Sequence, residues 1–93
     1  MGKPMFQLGK VTISDSTIQN VEIHDILHGL RLHISGDWGT VNDDFKSGNG
    51  VALARQEGCL ISSYEGKDGY KFLIITNLSG HHNYTNIITP KEY

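Results

Sequence analysis

This 93-residue chain has a single cysteine, no long apolar run, no surplus of positive charge and no internal repeat. Each absence closes off a class of protein. Cys59 has no partner for an internal disulfide, so nothing calls for an oxidising compartment. No stretch approaches the roughly eighteen consecutive apolar residues of a membrane span. The start, MGKPMFQLGK, carries lysines with no apolar region behind them, so no secretory leader is expected. Both points place the chain in the reducing cytoplasm, where the Asn77-Leu78-Ser79 and Asn83-Tyr84-Thr85 matches to a glycosylation signal carry no meaning. Eight Lys and Arg residues stand against ten Asp and Glu, for a net charge of −2, and the basic residues are scattered. A nucleic-acid binder usually clusters them on one face, so that class is disfavoured. Ser47-Gly48-Asn49-Gly50 lacks the lysine of a phosphate-binding loop, and no serine lies in a nucleophile elbow. No cofactor is implied.

What is present describes one small α+β domain spanning residues 1–93. With 38% hydrophobic and 19% charged residues it is an ordinary globular chain. Its size limits the core it can build, and a homodimer is a simple way to bury more surface. Phe6 to Ile13 reads as a strand whose alternation slips at Gly9-Lys10, and Ser14 to Ser16 offers caps for a short helical turn. Ile23, Ile26, Leu27, Leu30 and Ile34 then follow helical spacing, in a stripe about 100° wide. Gly36 stops that helix. A second helix is predicted from Thr40, with Asp43 completing a capping-box-like pair, weakened at Gly48 and Gly50 and closed by Gly58.

The C-terminal part reads as three strands, CLISSYE, YKFLIIT and YTNIIT, the first two joined at Asp68-Gly69. Three successive strands make an antiparallel meander by default, with the helices on one face, in the order β-α-α-α-β-β-β. The expected core is Ile23, Ile26, Leu27, Leu30, Ile34, Trp38, Phe45, Ile61, Phe72, Ile74 and Ile87.

Chemistry-bearing residues gather in Leu32 to Phe45, LHISGDWGTVNDDF. Asp37, Trp38, Asp43 and Asp44 are the candidate binding residues. An alternative makes the chain a small hydrolase or nuclease-type toxin, with His33 as acid–base and Asp37 bonded to it across the turn, raising its pKa. The simpler account has Asp37 bracing the Gly36–Gly39 turn, His33 supporting it and Trp38 plugging the core. His24 and His28 have the i, i+4 spacing of a metal pair, but no third ligand is spaced to match, so no metal site is expected. His81-His82 reads as an exposed loop pair, and Ser62, Ser63 and Cys59 as sheet residues rather than nucleophiles.

Across most of its length the chain resembles a family of small proteins borne on plasmids, integrative elements and phages. That family's pattern runs LGR-[VI]-V-A-T, RH-[VI]-SGDWG, RLLSAY, DG-x-[KR]-[LI]-W-[VI]-IT and [IL]-LP-x-EY. Here the matching segments are Leu8 to Val11, Leu32 to Gly39, Cys59 to Tyr64, Asp68 to Thr76 and Ile87 to Tyr93. The family's glutamate and Asp-Arg pair after the IT step are replaced by Asn77 to His82, so any activity those charges carry would be altered here. The resemblance implies no catalytic chemistry. It implies a mobile-element setting, in which small acidic proteins act by binding a host protein complex. The expected function is therefore non-catalytic protein binding, as an anti-defence inhibitor of the anti-CRISPR type.

Overall fold

The computed structural model describes residues 3–93. Among them are strand β1 (Lys10–Ile13), helices α1 (Asp15–Asn20), α2 (Ile23–Ile34) and α3 (Asp43–Arg55), strands β2 (Glu57–Glu65), β3 (Lys71–Ser79) and β4 (Tyr84–Ile88), and a 3-10 turn at Pro90–Glu92. The α+β class and the element order are as expected. The sheet is mixed rather than a purely C-terminal meander: its order is β1-β4-β3-β2, with β1 running parallel to β4 and the other pairs antiparallel. Leu8 and Phe6 lie outside β1, and Phe6 turns into the core beside Ala52, Leu60 and Leu78. No helix among the described residues is long and apolar enough to cross a membrane.

The β2–β3 hairpin forms at the Asp68-Gly69 signal, closed by the Gly66 N–H to the Tyr70 carbonyl at 2.9 Å. Period-two alternation sends Leu60, Ser62 and Tyr64 of β2, Phe72, Ile74, Thr76 and Leu78 of β3, and Thr85 and Ile87 of β4 towards the helices. Ile61, Leu73, Ile75, Asn86 and Ile88 point to the other face, where Ile61 is buried and the rest are partly buried. The central strand β3 is therefore closed on one side and half open on the other.

Helix α2 forms where its periodicity predicts, but rolled about its axis. Its buried residues are Ile26, Gly29 and His33, whereas Ile23 and Leu27, both expected in the core, are 54% and 49% exposed. Gly29 explains the roll. A Cβ there would sit 3.0 Å from the Phe72 ring and 3.1 Å from Tyr64, so the bare backbone lets the helix settle onto those rings. His33 then points into the sheet, and the Ile23–Leu27 edge swings out to solvent. Leu27→Ala is accordingly expected to cost less than about 1 kcal/mol, because little apolar area leaves water there. A chemical melt reads this directly, and a loss of several kcal/mol would contradict the roll.

Helix α3 starts at Asp43, not Thr40. Asn42 is its cap, accepting the Phe45 N–H at 2.9 Å, while the Thr40 N–H is spent on the Ser63 carbonyl. Phe45, expected in the core, is 39% exposed in the first turn of the helix, on the face it shares with Asn49 and Ala52. The helix ends at Arg55 with Gln56 in the left-handed region at φ 56°, and Gly58 already belongs to β2. It runs unbroken through Gly48 and Gly50, and a Cβ at either would meet nothing within 4 Å. Gly50→Ala should therefore stabilise the domain by about 1 kcal/mol. For a chain of this size that is a rise in Tm of about 4–8 °C, readable by calorimetry; an unchanged or lower Tm would show a hidden contact.

Candidate functional site

The corner after α2 is built by backbone geometry. Gly36 at φ 85° reverses the helix, with its own N–H on the His33 carbonyl and the Asp37 N–H on that of Leu32. This is the paired closure of a Schellman motif, and it favours glycine at the left-handed position. The Asp37 carboxylate accepts the Gly39 N–H at 3.1 Å. The corner then runs alongside β2: Ser63 N–H reaches the Trp38 carbonyl at 3.1 Å, and Thr40 N–H the Ser63 carbonyl at 2.9 Å. Gly39, at φ 71°, lies so close that an added Cβ would fall 2.0 Å from the Ser63 oxygen. The Tyr64 hydroxyl donates to the Asp37 carbonyl from below. Burial raises the Tyr64 phenol well above its usual range, so it stays a donor. The corner is thus a short fifth rung covering the sheet's β2 edge.

His33 does not bond Asp37. Its Nδ1 lies 2.5 Å from the Ser62 hydroxyl and its Nε2 2.9 Å from that of Thr76. Thr76 in turn meets Thr85 at 2.8 Å, and Thr85 donates to the Leu8 carbonyl at 2.7 Å. One proton per hydroxyl fixes the direction of the whole chain. Thr85 spends its proton on Leu8, so it accepts from Thr76. Thr76 therefore accepts from His33, which carries its proton on Nε2. The bare Nδ1 accepts from Ser62. The ring is neutral, and burial pushes its pKa down to about 4 rather than up.

A serine hydroxyl donating to a histidine has the polarity of a nucleophile–base pair. Here His33 and Ser62 are both 0% exposed. The Phe6 ring stands edge-on to the imidazole at 5.2 Å and Trp38 likewise at 5.7 Å, closing it from solvent. The network ties the N-terminal segment, α2 and three strands into one polar seam through the core. Thr76 and Thr85 have one sequence signal: each lies two residues from a buried isoleucine, Ile74 or Ile87, on the same strand face.

Asp37, Trp38 and Gly39 line a shallow hollow with Lys46, and Trp38 is half-buried. Asp43 and Asp44 occupy the exposed first turn of α3. Asp44 also reaches a separate, larger groove of about 640 Å³ whose walls are Phe45, Ala52 and Arg55 of α3 and Tyr93, over a floor of Ile61 and Ile75. The candidate residues thus divide between two neighbouring surfaces. No group of three or more metal-ligating side chains occurs among the described residues. No family model, curated protein or solved structure matches the chain.

Proposed function

We propose that this protein works by binding another protein, in the setting of a mobile genetic element, and that its partner is a host defence complex which it inhibits. A homodimer is the working form. The groove beside α3 carries this reading. It combines an apolar floor, an exposed Phe45 and the charges of Asp44, Arg55 and Glu57, the mixture from which protein interfaces draw both their anchors and their orientation. Asp37 and Trp38, in the separate hollow beside Lys46, and Asp43, in the first turn of α3, offer a second contact surface. The seam around His33 supports the same reading, since its one nucleophile-like contact is enclosed by aromatic rings.

Affinity capture from a bacterial host lysate tests it, with wild type beside Phe45→Glu and Asp44→Lys. The wild type is expected to retain one partner in stoichiometric amount, and both variants to lose it while still unfolding in a single cooperative transition. Recovery of no partner, or equal recovery by all three proteins, would overturn the proposal.

A further inference from the structure

The β1 edge of the sheet is bare and self-complementary. The Lys10 N–H bonds the Asn83 carbonyl at 3.3 Å and the Ser14 N–H bonds that of Ile87 at 2.9 Å, so alternate residues of β1 are spent on β4. Val11 and Ile13 lie between them and turn their N–H and C=O groups away from the sheet, where no further strand lies. Two such edges related by a two-fold axis through Thr12 fit in one antiparallel register. Val11 of each copy faces Ile13 of the other, and each pair exchanges both of its N–H···O bonds. On the helix side this register sets Val11, 38% exposed in the single chain, against Ile13, which already packs on the core cluster. The apolar layer then continues from one copy into the next.

The charges agree with the same register. Lys10 of one copy falls opposite Ser14 of the other, with β-carbons about 5 Å apart. The Ser14 hydroxyl is not free: it donates to the Glu92 carboxylate at 2.7 Å, and that carboxylate also takes the Thr89 N–H at 2.8 Å and the Thr89 hydroxyl at 2.9 Å. A fixed negative charge therefore waits where the second copy's Lys10 arrives, at both ends of the axis. Among the described residues the one ion pair is Lys67 with Glu22, so Lys10 has no ion-pair partner within its own chain.

We propose that two copies of this chain join through their β1 edges, antiparallel with Val11 opposite Ile13, making one continuous sheet clamped by Lys10–Glu92 pairs. This deepens the homodimer in the proposed function and leaves the α3 groove of each copy free, on the far side of the sheet from β1.

Light scattering and sedimentation of the full chain over a concentration series test it. The wild type is expected to sediment as a dimer. Val11→Pro removes an N–H that points away from β4, so it should raise the dimer dissociation constant at least tenfold while leaving the melting curve of the monomer intact. Lys10→Glu, at an exposed position, should do the same by setting two carboxylates together. Glu92→Lys sets two ammonium groups together, and mixing it with Lys10→Glu should restore dimer mass, because both pairs in the mixed dimer are then opposite in charge. A monomeric wild type overturns the inference. So does a dimer that Val11→Pro and Lys10→Glu leave intact, although that outcome would keep the homodimer itself. A monomeric wild type also removes the homodimer from the proposed function, whereas the lysate capture is unaffected by either result, so the partner-binding reading fails separately.

Discussion

Taking the protein from pH 7 to pH 4 should cost it about 3 kcal/mol through His33 alone. The unfolded chain takes up a proton at this side chain near the ordinary 6.5, whereas the folded state does so only near 4. Between those values the unfolded state binds more protons, so stability rises with pH across the window and falls as acid is added. Folding holds the ring neutral for two reasons. It is desolvated, and its Nδ1 is committed as an acceptor to Ser62 while its Nε2 proton goes to Thr76. Protonation would set two donors, Nδ1–H and the Ser62 hydroxyl, face to face in a dry site.

Urea melts at a series of pH values measure the slope. The wild type should weaken steadily from about pH 6.5 to pH 4 and then level off in this component. His33→Gln, less stable at neutral pH, should lose little more over the same window. Glu92 acts elsewhere: the Thr89 N–H and the Ser14 hydroxyl hold its carboxyl below the usual range, so its contribution is present above about 4.5 and is lost only below that. Equal slopes for wild type and His33→Gln would show that the imidazole is not held neutral by the fold.

The same histidine shows where sequence reasoning stops. Local signals were readable: the periodicity of Ile23 to Ile34, the Gly36 stop, and Asp68-Gly69 each produced the expected element. Which side of α2 faces the sheet was not readable from apolar count, because Ile23 and Leu27 outweigh a glycine and a histidine on any hydrophobic scale. The answer depends on partners 29 and 43 residues away, whose hydroxyls satisfy the imidazole, and on the rings of Phe72 and Tyr64 that occupy the space Gly29 leaves. The parallel β1–β4 pairing is hidden for the same reason, since four local strand signals do not say which of them meet. At the corner, the turn geometry was legible at Gly36, but not that Trp38 and Thr40 would serve as a rung for Ser63.

Asn49 should prove as costly to remove as any large core side chain, although it is polar and sits in the middle of a weakly amphipathic helix. β2 is an edge strand, and its outward groups at Ser63 are met by the corner. Those at Ile61 have no strand to meet. Asn49 takes that place with its side chain, donating from Nδ2 to the Ile61 carbonyl at 2.8 Å and accepting the Ile61 N–H on Oδ1 at 3.0 Å. Both residues are almost fully buried, so Asn49→Ala strands a donor and an acceptor away from water. At about 1–3 kcal/mol for each of the two unmet groups, the loss should be about 2–6 kcal/mol, a large part of the total for a domain of this size. It should also free an edge strand for intermolecular pairing, and so promote aggregation on warming. Asn49→Asp separates the hydrogen bonds from packing. As a carboxylate it accepts the N–H but repels the carbonyl; protonated, it donates to the carbonyl and regains both bonds. Burial raises that acid's pKa, so its deficit against wild type should be widest at neutral pH and narrow as the pH falls. A loss under about 1 kcal/mol for Asn49→Ala, or a deficit for Asn49→Asp that ignores pH, would mean that water replaces the amide and that the edge needs no cap.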